Sequence, residues 1–465
     1  MNMINVRRLT VMTFLGAGML SGISAQVSPL QVDTLKETKI PDQWDLQSCI
    51  DYAKEQNITI RKNRITAVST QIDVKTAKAA MFPSLSFSTS QQVVNRPYQE
   101  TSSRVSGSEI ISSNSKTSYN GNYGLNASWT LYNGNKRLKT IQQEKLNNQM
   151  AELDVATSEN NIQESIAQVY IQILYAAESV KVNENTLQVS IAQRDRGQEL
   201  LNAGSIAKSD LAQLEAQVST DRYQLVTAQA TLEDYKLQLK QLLELDGENE
   251  MNIYLPALSD ENVLAPLPTK RDVYISALSF RPEIEASKLN VEASELGINI
   301  AKSSYFPTIS LSAGIGTNHT SGSDFTFGEQ VKNGWNNSIG LSVSVPIFNN
   351  RQTKSAVQKA KLQYETSILS LLDEQKALYK TIESLWLDAN SAQQRYAAAN
   401  EKLKSTQISY ELISEQFNLG MKNTVELLTE KNNLLQAQQE QLQAKYMAIL
   451  NTQLLKFYQG DQLAL

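Results

Sequence analysis

The stretch AKAAMFPSLS at residues 77–86 recurs as AKSSYFPTIS at residues 301–310, 224 positions later, and this repetition is the strongest indication of the fold. Further features match at an offset of 216 positions, among them Gly204 and Gly420. The difference between the two offsets falls in a polar loop, where changes of length are tolerated. The chain is therefore a duplication, and each half is expected to repeat one design.

The duplication predicts the organisation of the chain. A first repeat is expected over residues 26–248 and a second over 271–465, joined by a linker over 249–270. In the first repeat we expect strands at about 82–92 and 121–132 and a helical hairpin at 135–245, with its tip near 204. In the second repeat we expect strands at about 306–316 and 336–348 and a helical hairpin at 350–458, with its tip near 420.

The predicted strands alternate between apolar and polar residues, as Ile339, Leu341 and Val343 illustrate. A period of two gives a strand one apolar and one polar face. No other stretch of the chain offers a second layer, so lipid is the favoured partner of the apolar face. A hairpin lying on a soluble core is the alternative. The Ser-, Asn- and Gly-rich segments between paired strands predict flexible exposed loops.

Four strands are too few to close a barrel in a membrane, because an open edge would leave backbone groups without partners in lipid. If these strands span a membrane, the chain must oligomerise. Two copies would supply eight strands and three copies would supply twelve.

A long helical run without proline follows each pair of strands, at residues 135–201 and 351–417. At about 1.5 Å per residue, each run is about 100 Å long. Apolar or small residues recur at alternating spacings of four and three, from Ile162 onward and again from Leu378 onward. This spacing predicts a coiled-coil seam. A second helix returns after the glycine that ends each run.

The composition excludes several classes of protein. The chain has 465 residues with one His and one Cys, which rules out a disulfide framework within the chain and leaves little room for a metal site. Its formal net charge of −5 argues against nucleic-acid binding. Because the sequence contains no glycine-rich phosphate loop either, we expect neither an enzyme nor a cofactor.

Residues 1–25 are typical of a secretory signal peptide. Arg7 and Arg8 precede a short apolar run at 9–20 and small residues at 23–25, after which cleavage is expected. A disordered N-terminus is the alternative. The signal peptide predicts that the mature chain is exported.

Several motifs in a fixed order resemble the TolC family of outer-membrane efflux channels. The segment WDLQSCIDYA at 44–53 has a counterpart that ends in RPE at 281–283. The two Phe-Pro strand entries follow, then strands that lead to Pro-Ile-Phe at 346–348, and finally the glycine-centred tips. The resemblance covers nearly the whole mature chain. It implies a mainly α fold with a small β part, in which a homotrimer forms a twelve-stranded β-barrel and a periplasmic α-barrel.

The resemblance also implies a function and partners. Proteins of this family are passive exit ducts in the outer membrane of Gram-negative bacteria, and they extend into the periplasm. They dock on a periplasmic membrane-fusion adaptor, which links them to an inner-membrane pump of the RND type or to an ABC exporter. The cargo stays open among drugs, metals and proteins. An exported coiled-coil structural protein or adhesin without channel activity is the alternative.

The resemblance assigns a gate to the helical tips. By position from the tip glycines, Asp210, Lys422 and Phe417 are the acid, base and aromatic residue that hold the periplasmic end shut. Lys422 replaces an arginine and Phe417 replaces a tyrosine, so a weaker latch is expected. Glu426 occupies the first of two acidic ring positions, where three copies would favour cations, and Thr429 occupies the second. Ordinary solvated residues at a helix start are the alternative.

Two further groups of residues complete the prediction. The tips are expected to dock the adaptor through Gly204, Ser205, Ile206, Gly420, Met421 and Lys422. Strand entries and an aromatic girdle at the membrane interface are expected at Phe82, Pro83, Trp129, Tyr132, Phe306, Pro307, Pro346 and Phe348. Core packing is the alternative for the aromatic residues, and both interpretations predict that they are buried.

Overall fold

The computed structural model describes residues 40–98, 102–106, 109–113, 116–246, 251–256, 263–321, 323 and 325–463. The predicted signal peptide, residues 1–25, lies outside these residues. The chain separates into the segment Met1–Ile40 and the compact unit Pro41–Leu465, and all elements named below belong to the second.

The described chain is mainly helical with a small antiparallel sheet, which confirms the predicted fold class. The first half contains α1 (Leu46–Gln56), α2 (Ile58–Ala79), β1 (Ser84–Asn95), β2 (Ser102–Ser106), β3 (Glu109–Ser113), β4 (Thr117–Asn133), α3 (Lys136–Asn202) and α4 (Lys208–Leu242). The second half contains α5 (Lys270–Phe280), α6 (Pro282–Ser303), β5 (Thr308–Thr320), α7 (Phe327–Asn333), β6 (Asn336–Ser344), α8 (Gln352–Asn418) and α9 (Thr424–Gln459).

The four long strands form one antiparallel sheet in the order β1-β4-β5-β6. Its register places apolar residues side by side, with Phe87 opposite Leu125 and with Leu311 between Trp129 and Leu341. Strands β2 and β3 form a separate two-stranded sheet. Within the described residues, the edge strands β1 and β6 each have a neighbour on one side only.

The structure differs from the sequence-based expectation at several strand ends and in the loops. Strand β4 begins at Thr117 rather than near residue 121, and β5 ends at Thr320 rather than near residue 316. Strand β6 ends at Ser344 rather than near residue 348, because Pro346 has no backbone N–H to continue the ladder. The segments expected to be flexible loops contain β2 and β3 in the first half and α7 in the second. Thr326 and Glu329 form a capping box at the start of α7, so local hydrogen bonds order that segment.

The long helices α3 and α8 have 67 residues each. Both runs end at a glycine in the left-handed conformation, with φ of 73° at Gly204 and 74° at Gly420, as predicted. The N–H of Ser205 and the N–H of Met421 each reach back to a carbonyl five residues earlier, at 2.8 Å. These bonds satisfy carbonyl groups of the last helical turn.

The main apolar core joins the two halves part-way along the long helices. Seam residues Ile166, Ile173 and Ile382 are buried there, together with Trp44 of the segment before α1. The backbone of Trp44 makes two hydrogen bonds of 2.8 Å with the segment 252–254, which brings the chain after the first hairpin back to its start. In the described part of the chain, no helix combines the length and the apolar character needed to cross a membrane.

Candidate functional site

One face of the four-stranded sheet is polar but uncharged. Strands β1, β4, β5 and β6 contain no Asp, Glu, Lys or Arg. Ser84 Oγ lies 2.8 Å from Ser128 Oγ across two strands, and Asn122 Nδ2 donates to Ser90 Oγ at 3.2 Å. The residues that share this face include Ser84, Ser86, Ser88, Ser90, Asn122, Gly124, Asn126, Ser128, Ser310, Ser312, Gly314, Gly316, Ser338, Gly340 and Ser342. The face can bind water throughout without presenting a fixed charge.

The opposite face of the sheet is apolar, and the described residues of the chain leave it uncovered. Leu85, Phe87, Leu341 and Val343 are exposed, and Ile339 is 79% exposed. A contiguous apolar surface of this kind marks contact with a membrane or with another protein. The open edges of β1 and β6 add unpaired backbone donors and acceptors, which a lipid environment would not tolerate.

The aromatic residues next to the strands are more exposed than either interpretation of the sequence predicts. Phe82 is 73% exposed, Phe348 is 84% exposed, and Phe306 is exposed as well. The expected burial is therefore wrong for the single chain, since its described elements do not cover this end of the sheet. Trp129 is partly covered, because its ring N–H donates to the carbonyl of Met81 at 2.7 Å. Tyr132 is half-buried.

The prolines lie where the chain enters or leaves a strand. Pro83 and Pro307 immediately precede β1 and β5, whereas Pro346 follows the end of β6. Each fixes its own φ at that position. The sequence did not indicate the role of Arg137, whose guanidinium donates to the carbonyl of Ala80 at 2.8 Å and ties the start of α3 to the entry into β1.

The predicted gate residues contact their own helices in the single chain. Asp210 accepts a hydrogen bond from the N–H of Ala207 at 3.0 Å and thereby caps α4. Lys422 Nζ lies 2.5 Å from Glu426 Oε1. This bond, and next the backbone N–H of Asn423, hold the pKa of Glu426 below its ordinary value. Among the described residues no hydrogen bond or ion pair joins Asp210 to Lys422, so that latch stays a prediction.

The other predicted gate and tip residues divide into buried and exposed sets. Phe417 is buried, and the Thr429 hydroxyl donates to the carbonyl of Val425 at 2.8 Å in its own helix. Exposed tip residues are Gly204, Ser205, Gly420 and Met421, whereas Ile206 and Lys422 are half-buried. A Cβ placed on either tip glycine would meet no atom within 4 Å. Both tips are therefore accessible to a partner.

Sequence reasoning missed a buried polar cluster between the two hairpins. Asp221 Oδ2 accepts hydrogen bonds from Ser190 Oγ and from Lys431 Nζ. The side chains of Lys431 and Asp221 are only 4% and 1% exposed. A signal was available, because Asp221 follows the buried Leu214 and Val218 at helical spacing and so occupies a seam position.

A second buried charge lies at the start of α6, in the RPE motif. Arg281 pairs with Glu164 at 3.0 Å and with Glu283 at 2.9 Å, and its guanidinium lies 3.8 Å from the ring centroid of Tyr458. Burial raises the pKa of Glu164, and the bond from Arg281 opposes that shift. These contacts join α3, α6 and α9, so the motif fixes the packing of the core.

Comparison with known proteins shows a family match over both repeats. The family model described as outer membrane efflux protein matches residues 49–244 and 273–460. Outer membrane efflux protein BepC of Brucella suis is 24% identical over 294 residues, which cover 63% of this chain and 61% of BepC. Outer membrane protein TolC of Escherichia coli is 24% identical over 294 residues, which cover 61% of this chain and 58% of TolC. The chain thus matches about three fifths of the length of these two relatives.

A solved structure has the same fold. The crystal structure of the CmeC outer membrane channel of Campylobacter jejuni matches with a TM-score of 0.72 at 17% identity. The match covers 90% of this chain and 87% of CmeC. The helical hairpins and the sheet are therefore an arrangement that outer membrane channels use.

Proposed function

The chain belongs to the outer membrane efflux protein family, and on this basis we propose that it is the outer-membrane exit duct of a tripartite efflux or type I secretion system. The duct is a passive channel and catalyses no reaction. It docks on a periplasmic membrane-fusion adaptor, which connects it to an inner-membrane RND pump or ABC exporter.

The observation that carries this proposal is the sheet with one charge-free polar face, one uncovered apolar face and two open edges. Closure of such a sheet on further copies of itself turns the apolar face to lipid and the polar face to water. Closure also pairs the β1 edge of one copy with the β6 edge of the next. A soluble spacer or adhesin has no need of this arrangement.

Three copies suit a duct better than two. Two copies supply eight strands, and the interior of an eight-stranded barrel is just wide enough for side chains to fill it. Three copies supply twelve strands around a wider interior. The Ser and Gly residues of the polar face keep that interior open. The twelve-stranded homotrimer implied by the family resemblance is therefore retained in the proposal.

The helical hairpins supply the periplasmic part of the duct. At 67 residues, α3 and α8 are each about 100 Å long. In the trimer, six hairpins form the wall of an α-barrel, and the accessible tips around Gly204 and Gly420 meet the adaptor. The gate is placed at these tips, with Glu426 as its acidic ring. Because Lys422 lies 2.5 Å from each Glu426, the ring prefers cations less strongly than three unpaired carboxylates would.

Conductance in a planar lipid bilayer tests this function. We expect the purified protein to give small, cation-selective current steps, and we expect Glu426→Ala to lose that selectivity. Glu365→Ala serves as the matched control, because Glu365 is an exposed acid on α8 that lies about 80 Å along the helix from its end at Asn418. Selectivity that is unchanged in Glu426→Ala would place the constriction elsewhere. A folded preparation that never inserts would refute the channel and favour the structural alternative.

A further inference from the structure

The two hairpins of one chain are joined by a buried cluster of three polar side chains, which we call the inter-hairpin cluster: Ser190 on α3, Asp221 on α4 and Lys431 on α9. Lys431 Nζ donates to Asp221 Oδ2 and to Ser190 Oγ, and Ser190 Oγ donates to the same carboxylate oxygen. The other carboxylate oxygen accepts from Gln217 Nε2 at 2.9 Å. The lysine of the second repeat is thus held by two helices of the first.

The inter-hairpin cluster lies close to the helical tips. Lys431 is seven residues from the start of α9 at Thr424, or about 10 Å along the helix. Asp221 is thirteen residues from the start of α4 at Lys208, or about 20 Å. Neutral contacts flank the cluster along the same seam, with Gln217 donating to Asn432 at 3.3 Å.

The surroundings of Lys431 are those of a protein interior. Burial lowers the pKa of Lys431, and the hydrogen bond and charge of Asp221 oppose that shift. A buried charge that loses its partner is strongly destabilising, whereas a pair replaced by neutral groups is often tolerated. Sliding or rotation of α9 within the packed seam would separate the charges before water could reach them. The two hairpins therefore have a single favourable register while they are packed together.

We propose that the inter-hairpin cluster holds the two hairpins of each chain in this register and thereby keeps the periplasmic end of the duct narrow, an inference that rests on the proposed function. In the single chain, Asp210 caps its own helix and Lys422 pairs within α9. Among the described residues, neither of them makes a hydrogen bond or ion pair with the other hairpin. The constriction itself stays at the tips, and the contact that holds the two hairpins of one chain together is assigned to the buried pair Asp221 and Lys431. Loss of this contact lets α9 leave α3 and α4.

Single and double neutral variants test this assignment in planar bilayers. Asp221→Asn and Lys431→Met each leave one buried charge of the pair without its counter-charge. We expect each to raise the fraction of time spent in high-conductance states about tenfold or more. The double variant Asp221→Asn/Lys431→Met removes both charges, and we expect its conductance to fall back toward that of the unmodified protein.

Lys402→Met is the matched control. Lys402 pairs with Glu440 at 2.7 Å, but both side chains are well exposed, at 46% and 41%, and both belong to the second hairpin. We expect its conductance to equal that of the unmodified protein. Each variant is first shown to give intact oligomers by gel migration before and after heating. If Asp221→Asn does not assemble, the proposal is tested by comparing the conductance of Lys431→Met with that of the double variant.

The outcomes separate this inference from the proposed function. Unmodified protein that gives no channels defeats the proposed function itself. Channels from the unmodified protein together with unchanged conductance in assembled single variants would overturn the role of the cluster and leave the duct standing. An equal rise in Lys402→Met, or a double variant at least as leaky as the singles, would also overturn it, because the effect would not depend on the pairing of buried charges.

Discussion

Gly134 and Gly204 both have left-handed backbones, with φ of 68° and 73°, but they lie in different surroundings. A Cβ on Gly134 would lie 2.7 Å from the carbonyl oxygen of Ser303 and 2.9 Å from the Cβ of Phe306. A Cβ on Gly204 would meet no atom within 4 Å. Packing and backbone conformation both require glycine at residue 134, whereas only backbone conformation favours it at residue 204. Gly134 connects β4 to α3 and so fixes how the sheet continues into the long helix.

These surroundings predict unequal costs for the same substitution. Gly204→Ala should lower the stability by about 1–2 kcal/mol, the cost of a left-handed conformation in a residue with a Cβ. Gly134→Ala should lower the stability by about a further 1–3 kcal/mol, because the added Cβ would make the close contacts described above. Thermal unfolding followed by circular dichroism in detergent measures both variants against the unmodified protein. Equal shifts in the two melting temperatures would contradict the packing argument.

At the scale of secondary-structure elements, adjacent residues of strand β6 lie on opposite faces of the sheet, one apolar and one polar. Ile339 is on the exposed apolar face near the middle of the strand, and the adjacent Ser338 is on the polar face, opposite Gly314. The strand also lies at an edge of the sheet, so its position in the membrane depends on a neighbouring copy. Adjacent residues of β6 should therefore respond very differently to charge.

Lysine substitutions at these two positions test the orientation of the sheet. Ile339→Lys places a charge in lipid and should cost about 2–4 kcal/mol near the middle of the bilayer, so little oligomer should reach the outer membrane. Ser338→Lys places the same charge in the aqueous interior and should assemble normally. The amount of heat-dissociable oligomer extracted from outer membranes gives the comparison. Normal assembly of both variants, or the reverse order, would show that the assignment of the faces is wrong.

At the scale of the whole molecule, the chain is well packed at its core and incomplete at its sheet. The two repeats pack against each other in the core near Ile166 and Ile382, and Arg281 adds buried ion pairs there. The sheet keeps two open edges and an uncovered apolar face. The helices of one chain are therefore packed by contacts within that chain. Its strands need other copies to pair their open edges.

Oligomeric state tests this view directly. We expect native mass spectrometry of the protein released from detergent micelles to give the mass of three mature chains, because twelve strands leave an open interior and eight do not. Heating should convert this species to single chains on a gel. A stable monomer with channel activity, or a mass of two chains, would contradict the twelve-stranded arrangement.

The duplication, the two faces of the sheet, the long seam and the glycine tips can all be predicted from the amino-acid sequence alone. Each of these is a periodic or repeated feature within one element, and local backbone geometry translates it directly into structure. The end of β6 at Ser344 could also have been predicted from the sequence, since the missing N–H of Pro346 is a local property.

Which charged side chains pair with each other depends on tertiary packing and could not be predicted from the sequence. Lys422 lies beside Glu426 in its own helix, and Lys431 lies beside Asp221, which is 210 positions away in the sequence. Such contacts depend on how α9 is rotated and offset against α3 and α4, and heptad spacing leaves that offset open by whole turns. The packed seam selects one offset, because only at that offset does each buried charge lie beside a partner once the packed helices exclude water.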